Sequence, residues 1–254
     1  MLLGRIRRKI QRSLLARGCW GTVRLSLLQP YLALRFRKVE KRRIAAQAEF
    51  DRAHGVDTTG IISLNDLEVE SPNLAFGTRY GPTPARTFHS LLRLLQIDRL
   101  EDYTFIDIGS GKGAVLLYAS EYPFERIIGI EFSPELHQIA ERNLRVWLKK
   151  PCASNQIESI CADATKFPFP LAPLVIFCNV PFDKRVSAVV AANLKASLTQ
   201  NPRTAYLIWT NPSYQPGCCI PFDQMDSFQV LRATAEYRIY CTAGGGIRYP
   251  KHGV

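Results

Sequence analysis

A glycine-rich segment between a predicted strand and a predicted helix carries the clearest chemical signal in this sequence. It runs from Asp107 to Gly113, with a glycine at every second position from Gly109 onward. Such glycines let the backbone turn sharply and approach a ligand where a Cβ atom would collide. The helix that follows begins with N–H groups that have no partner within the helix. The spacing therefore predicts a nucleotide-binding turn.

A second acidic residue, Glu131, ends the predicted strand at residues 126–130. A carboxylate at this place can accept hydrogen bonds from both ribose hydroxyls of a nucleoside. The glycines alone fit two chemistries, because Gly109, Gly111 and Ala114 also match the fingerprint of dinucleotide-binding dehydrogenases. Asp107 favours a ligand with a cationic amino-acid group over a dinucleotide, since an anion at that place does not help to bind phosphate but does help to bind a cation.

The whole segment, including Gly113, resembles the first motif of the class I S-adenosylmethionine-dependent methyltransferases, which reads hydrophobic-Asp/Glu-x-Gly-x-Gly-x-Gly. The resemblance covers roughly the last 150 residues and implies S-adenosyl-L-methionine as the cofactor. It assigns the methionine amino group to Asp107, the methionine and ribose to Gly109, Gly111 and Gly113, the ribose hydroxyls to Glu131, the adenine ring to Phe132, and the adenine amino group to Asp163 with Ala164 beside it.

Each of these candidates follows a short apolar run, as expected for residues at the ends of buried strands. The runs are residues 105–108, 127–130, 157–161 and 174–178, and helical patterns lie between them. In an open α/β sheet, ligands bind outside the carboxyl ends of the strands. The pattern predicts a Rossmann-like α/β fold with a mainly parallel sheet and helices on both faces. The resemblance implies seven strands that end in an antiparallel hairpin at residues 228–241.

The clearest clue to the methyl acceptor is the run from Asn179 to Phe182, directly after the fourth predicted strand. It resembles the Asn-Pro-Pro-Tyr/Phe motif of methyltransferases that act on planar amino groups, and also the related motif of adenine dimethylases. The resemblance implies that Asn179 and the carbonyl of Val180 or Pro181 accept hydrogen bonds from the target amine, while Phe182 stacks on it. A plain strand-ending turn with a buried phenylalanine is the alternative.

A second resemblance lies upstream, where Tyr80-Gly81-Pro82-Thr83 is similar to the lead-in of small protein-lysine methyltransferases. This chain departs from that group at Lys112, where an acidic residue is frequent. The similarity makes Tyr80 and Thr83 candidates for a lid over the cofactor. Alternatively, the same residues form a turn and a helix cap.

The charge of the chain is concentrated at its start. Residues 1–48 carry a net charge of +12, whereas the 254-residue chain carries +11, so residues 49–254 carry −1. Leucines and isoleucines at helical spacing between Leu3 and Leu14 alternate with arginine and lysine. Three interpretations stay open: a helix on an anionic membrane surface, an arm that binds nucleic acid or an acidic protein, and a helix packed on the core.

Composition sets the remaining expectations. With 46% hydrophobic residues, the chain can bury one sizeable core. We expect a basic extension at residues 1–50, a lead-in and lid segment at 51–100 and the cofactor-binding domain at 101–254. The four histidines show no metal-ligand spacing, and the seven cysteines show no Cys-x-x-Cys pair. These patterns predict no metal site and a cytoplasmic, non-secreted protein, with peripheral membrane contact through residues 1–48 left open.

These observations together predict a methyltransferase that acts on nitrogen in a macromolecule, with protein lysine slightly ahead of a nucleic-acid base because residues 49–254 are not basic. Oligomeric state is not encoded in any pattern noted above. Two alternatives stay open: a non-catalytic protein of the same fold that binds a membrane or partner through its basic arm, and a dehydrogenase.

Overall fold

A computed structural model describes residues 40–63, 66–67, 76–154 and 156–242. The chain divides into two compact units, Met1–Ala46 and Gln47–Val254. The amphipathic pattern predicted near the start of the chain lies outside the described residues. The predicted lead-in, residues 51–100, falls within the larger unit. Of the described helices, none is long and apolar enough to cross a bilayer.

The larger unit is built on one seven-stranded sheet with the order β3-β2-β1-β4-β5-β7-β6. Neighbouring strands are parallel from β3 to β5, whereas β7 runs antiparallel to both β5 and β6. The strands are β1 Thr104–Ile108, β2 Arg126–Glu131, β3 Ile157–Cys161, β4 Leu174–Asn179, β5 Ala205–Thr210, β6 Phe228–Ala233 and β7 Tyr237–Thr242. The predicted mainly parallel sheet with a terminal antiparallel hairpin is confirmed.

Two hydrophobic cores cover the two faces of this sheet, because successive side chains of a strand point to opposite sides. On β1, Ile106 and Ile108 enter one core and Phe105 enters the other. Each fully buried side chain of this size stabilises the fold by about 1.5–3 kcal/mol. The helices are α1 at residues 40–54, α2 Ala85–Arg93, α3 Ala114–Ala119, α4 Pro134–Trp147, α5 Lys184–Gln200 and α6 Ile220–Asp223.

The starts of the helices show how local sequence sets the fold. Ser133 caps α4 by accepting a hydrogen bond from the Leu136 N–H, and Pro134 takes the first helical position, as the sequence predicts. The start of α2 differs, because its N-cap is Pro84 and no side chain caps it. The structure therefore does not give Thr83 the alternative role of a helix cap; this residue is buried and lines the cleft described below.

The order of the strands determines where a ligand can bind at the edge of the sheet. β1 lies between β2 and β4, so the connections that leave these strands run in opposite directions from the middle of the sheet. A crevice opens at such a switch point, outside the carboxyl ends of the strands. Asp107 lies near the end of β1, Glu131 ends β2 and Asn179 ends β4. The three side chains therefore meet at one edge.

Candidate functional site

A cleft that is open to solvent lies at this edge of the sheet. All but one of the site residues predicted from the sequence line it: Tyr80, Thr83, Asp107, Gly109, Gly111, Glu131, Phe132, Asp163, Ala164, Asn179, Pro181 and Phe182. The cleft thus brings together residues from the lead-in segment and from the ends of four strands.

The exception is Gly113, which the resemblance places along the methionine and ribose. The structure places it outside the lining of the cleft, at the N-cap of α3 with a φ of 83°. A Cβ atom there would lie 3.2 Å from the Cβ of Ala140 on α4. Gly113 therefore allows the left-handed start of α3 and the close approach of two helices, while its contact with a ligand stays a prediction.

The backbone N–H groups of Gly109, Ser110 and Gly111 in the glycine turn donate to groups of the protein itself. Those of Gly109 and Ser110 donate to the carbonyl of Ile130 at 2.9 and 3.0 Å. The Gly111 N–H donates to Oε2 of Glu131 at 2.8 Å. A carboxylate of the protein therefore takes the place that a phosphate oxygen takes in a phosphate-binding turn. This arrangement disfavours a dinucleotide, since Asp107 and Glu131 would repel its pyrophosphate.

Glu131 is held rigidly by this turn and still has hydrogen-bonding capacity. Its Oε1 accepts from the Ser133 N–H at 2.9 Å, while Oε2 accepts from Gly111. Burial raises the pKa of Glu131, and the hydrogen bonds from backbone N–H groups oppose that shift. Each carboxylate oxygen can accept more than one hydrogen bond. Glu131 therefore fits a ligand that offers a pair of hydroxyl donors, such as a ribose.

Asp107 is the least compensated charge at this edge. It is only 3% exposed, it lines the cleft, and its carboxylate accepts no hydrogen bond from any residue that the structure describes. Burial raises the pKa of Asp107 well above its ordinary value, and the nearby charge of Glu131 raises it further. A buried acid without a partner is costly unless a ligand supplies a donor or a positive charge. The site therefore fits the ammonium group of an amino-acid ligand.

Two glycines of the turn allow other parts of the protein to approach closely. A Cβ on Gly109 would lie 2.6 Å from the Cβ of Pro181, and a Cβ on Gly111 would overlap the ring of Tyr80. The Tyr80 hydroxyl donates to the carbonyl of Thr58 at 2.6 Å. The lead-in segment therefore forms one wall of the cleft through Tyr80, packed directly on the glycine turn.

A network of polar side chains holds residues 57–59 over the same turn. Asp51 accepts hydrogen bonds from the N–H groups of Thr58 and Thr59 and from the Thr58 hydroxyl, at 2.6–2.8 Å. Lys112, whose side chain is 8% exposed, donates to Asp57 at 2.7 Å and to the carbonyl of Thr59 at 2.8 Å. Sequence reasoning missed this network. Its only signal was Lys112, a lysine at an unusual position of the glycine motif.

Asn143 of α4 joins this network to the glycine turn. Its amide donates to the carbonyls of Asp57 and Lys112 at 2.7 and 2.9 Å, and its oxygen accepts from the Asp57 N–H at 2.8 Å. We expect Asn143→Ala to lower the free energy of unfolding by about 2–3 kcal/mol, because it leaves the carbonyl of buried Lys112 and the part-buried backbone groups of Asp57 without these partners. Thermal unfolding measures the change, which corresponds to a Tm lower by about 5–10 °C.

The matched control for this prediction is Asn201→Ala, which removes a single exposed hydrogen bond to the carbonyl of Leu171. We expect that variant to change the free energy of unfolding by about 0.5 kcal/mol or less. Equal losses of stability in the two variants would contradict a special role for Asn143.

The predicted acceptor residues lie together, but their polar groups are already engaged. Asn179 Oδ1 accepts from the Thr210 hydroxyl and from the Asn211 amide, both at 2.8 Å. The carbonyl of Val180 accepts from the Thr78 hydroxyl at 2.7 Å, and the carbonyl of Pro181 accepts from the Thr78 N–H at 3.1 Å.

The ring of Phe182 is likewise committed to the interior of the protein. Phe182 is 6% exposed, and its ring meets that of Trp209 edge to face with 5.7 Å between centroids. A planar amine would need a free acceptor oxygen and an exposed ring face for stacking. In this conformation Phe182 offers no exposed ring face, and Asn179 Oδ1 already accepts two hydrogen bonds, whereas the carbonyls of Val180 and Pro181 each accept one.

Asp163 has a local structural role in addition to its place in the cleft. Its Oδ1 accepts from the N–H and the hydroxyl of Thr165, at 2.9 and 2.7 Å, and so caps the short helix Ala164–Lys166. Phe132 lies partly exposed on the same side of the cleft. Contact of these residues with an adenine ring stays a prediction.

Comparison with known proteins gives a match to one domain family and to two curated relatives. Residues 106–180 match the family described as a methyltransferase domain. The ribosomal protein L11 methyltransferase of Thermotoga maritima is 29% identical over 92 residues, which are 35% of this chain and 33% of that protein. The protein of the same name from Colwellia psychrerythraea is 33% identical over 117 residues, which are 41% of this chain and 38% of that protein.

The chain thus spans between 33% and 38% of the length of these curated relatives. Among solved structures, a putative RNA methyltransferase from Pyrococcus horikoshii superimposes with a TM-score of 0.48 at 15% identity, covering 72% of this chain and 94% of that one. The matched family segment extends from β1 to the turn after β4, and it includes the glycine turn, Glu131, Asp163 and Asn179.

Proposed function

We propose that this protein, a member of the class I S-adenosylmethionine-dependent methyltransferase superfamily, transfers a methyl group to a nitrogen atom of a macromolecule. The observation that carries the proposal is Asp107, a buried carboxylate without a hydrogen-bonding partner among the described residues, at the edge of the cleft. Such a group needs a cationic ligand, and the amino group of S-adenosylmethionine supplies one.

Different residues of the cleft would bind different groups of this cofactor. Asp107 would pair with the amino group, Glu131 would accept hydrogen bonds from the ribose hydroxyls, and Tyr80 would close the wall beside Gly111. The cofactor, when bound, supplies a methyl group activated by a sulfonium. The protein then contributes chiefly by holding the acceptor nitrogen in line and excluding water, so it needs no nucleophilic side chain.

The acceptor that we favour is a primary aliphatic amine of a protein, such as a lysine side chain. Recognition of a planar amine would draw on Asn179 and on the ring of Phe182, whereas Asn179 Oδ1 already accepts two hydrogen bonds and Phe182 is buried. An aliphatic amine has to reach the cofactor deprotonated, and the apolar side chains of Pro82, Pro181 and Val186 in the cleft favour the neutral form. The two curated relatives are named as methyltransferases of a ribosomal protein.

A non-catalytic protein of the same fold is not favoured, because the cleft keeps the uncompensated Asp107. A protein that no longer binds a cationic cofactor would gain stability from a neutral side chain at this position. The membrane or partner contact predicted for residues 1–48 stays a prediction.

Two measurements on the full chain test the proposal. Calorimetric titration is expected to show binding of S-adenosylmethionine, and no heat at concentrations in the hundreds of micromolar would exclude it as the cofactor. Transfer of labelled methyl groups into fractionated cell extract is expected to label protein. Label in nucleic acid would retain the methyltransferase but reject a protein acceptor, and binding of NADH in place of S-adenosylmethionine would establish a dehydrogenase.

A further inference from the structure

Val180, in the turn after β4, has a backbone conformation that its side chain disfavours. Its φ is 38°, in the left-handed region that glycine and asparagine adopt far more readily than valine. Two other non-glycine residues in the described chain have positive φ, Gln96 and Asn211, and neither is β-branched. Val180 is also 7% exposed, so its side chain is fixed in the core. Such strain persists only where the surrounding structure enforces it.

The contacts that enforce this conformation come from the lead-in segment, about a hundred positions earlier in the chain. The Thr78 hydroxyl donates to the carbonyl of Val180 at 2.7 Å, and the Thr78 N–H donates to the carbonyl of Pro181 at 3.1 Å. The Asp183 N–H donates to the carbonyl of Phe76 at 2.8 Å. Gly77 and Phe182 form an antiparallel bridge between these contacts. The two segments therefore pair at Val180 and along the three residues that follow it.

A cation–π contact also joins these two segments. The guanidinium of Arg185, in the first turn of α5, lies 3.9 Å from the centroid of the Phe76 ring. Neither Phe76 nor Arg185 lines the cleft. Residues 76–78 are thus anchored both at the strained turn and at the helix that follows it.

The strained turn lies between the groups that bind the cofactor and those that face the acceptor. Pro181, which follows Val180, packs against Gly109 so closely that a Cβ on Gly109 would lie 2.6 Å from it. Asn179, which precedes Val180, lines the cleft. A change in the backbone at Val180 would therefore move both Asn179 and Pro181 relative to the glycine turn.

We propose that Thr78 is a positioning residue, which holds the Val180 turn in its strained conformation and thereby sets the place of Asn179 and Pro181 beside the reacting methyl group. The part of this proposal that concerns methyl transfer rests on the proposed function. The part that concerns the strained turn does not, because it follows from backbone conformation and hydrogen bonds alone.

The strain is tested by comparing alanine with glycine at Val180. Both variants lose most of the buried side chain, but only glycine removes the Cβ that disfavours a positive φ. We expect Val180→Gly to unfold at a Tm about 2–4 °C higher than Val180→Ala. The control is Val190, which is buried in α5, where Val190→Gly should be less stable than Val190→Ala. The same order at both sites would overturn the proposal.

The role of Thr78 is tested with Thr78→Val, which keeps the shape of the side chain and removes the hydroxyl donor, and with Thr78→Ser, which keeps the donor. We expect Thr78→Val to lower the maximal rate of label transfer into cell extract about 10-fold and to change the affinity for S-adenosylhomocysteine less than about 2-fold. Thr78→Ser should restore most of the rate. Equal rates for Thr78→Val and the unmodified chain would overturn the proposal, as would parallel losses of rate and affinity.

Hydrogen exchange gives a readout that does not need the acceptor. In Thr78→Val, the amide of Asp183 should exchange faster than in the unmodified chain, because the pairing with residues 76–78 is weakened. Unchanged exchange would overturn the role of the hydroxyl in the pairing. If the unmodified chain transfers no label at all, the proposed function fails, while the Tm comparison and the exchange rates still decide whether Thr78 holds the turn.

Discussion

Replacing Asp107 by asparagine is expected to weaken the binding of S-adenosylmethionine about 10- to 150-fold, the equivalent of a lost hydrogen bond between charged groups worth about 1.5–3 kcal/mol. The same variant should unfold at a higher Tm than the unmodified chain when no ligand is present. Both results follow from one feature, a buried carboxylate without a hydrogen-bonding partner among the described residues.

The gain in stability has a defined dependence on pH. Burial and the charge of Glu131 raise the pKa of Asp107 in the folded protein, so folding favours the protonated form. The stability that protonated Asp107 contributes is fully present below the pKa of this carboxyl in the unfolded chain. It is lost as the pH rises through the pKa of Asp107 in the folded protein. Asparagine cannot ionise, so the advantage of Asp107→Asn should be larger at pH 7 than in acid.

Ligand binding should show the opposite trend. Protonation of Asp107 removes the charge that attracts the ammonium group, so affinity in the unmodified chain should decrease as the pH falls through the raised pKa. Calorimetric titrations between about pH 5 and pH 8 should show this decrease, and Asp107→Asn should lack it. Asp226→Asn is the matched control, since the side chain of Asp226 is 95% exposed. Equal affinities for Asp107→Asn and the unmodified chain would remove Asp107 from the site.

The sheet and the positions of the main polar residues could be predicted from the sequence because the signals are local. Buried strands appear as apolar runs of four or five residues, and the first polar residue after each run lies at the carboxyl edge of the sheet. That rule alone brought Glu131 and Asn179 to one cleft. The start of α4 at Pro134 could be predicted for the same reason, since serine followed by proline is a local capping signal.

The contacts of these residues could not be predicted, because they depend on segments far apart in the chain. Nothing near Asn179 indicates that its oxygen is taken by Thr210 and Asn211, and nothing near Val180 points to Thr78. The motif after β4 therefore predicts a recognition site, but it does not reveal that Asn179 Oδ1 already accepts two hydrogen bonds within the folded chain. Gly113 shows the same limit, since the glycine motif does not reveal which glycine faces a ligand and which faces a helix.

Gly111 illustrates how much a single glycine matters when two distant segments pack through it. Its φ is 54°, and an added Cβ would overlap the ring of Tyr80. Gly111→Ala is expected to lower the free energy of unfolding by about 2–4 kcal/mol, through backbone strain and displacement of the ring. The displaced Tyr80 side chain would also lose its hydrogen bond to the carbonyl of Thr58, and the hydrogen bond from the Gly111 N–H to Glu131 would be disturbed. Cofactor affinity should therefore decrease by more than about 10-fold.

Two further variants separate overlap with Tyr80 from backbone strain. Gly81→Ala is the stability control, since Gly81 also lines the cleft but a Cβ there meets nothing within 4 Å. It should change the free energy of unfolding by about 0.5 kcal/mol or less. Tyr80→Ala in the Gly111→Ala background makes room for the added Cβ, so the double variant should lose less stability than the sum of the two single changes. Additive losses would mean that Tyr80 does not rest on the glycine turn in solution. The wall that it forms beside the cofactor would then have to be assigned to another part of the lead-in segment.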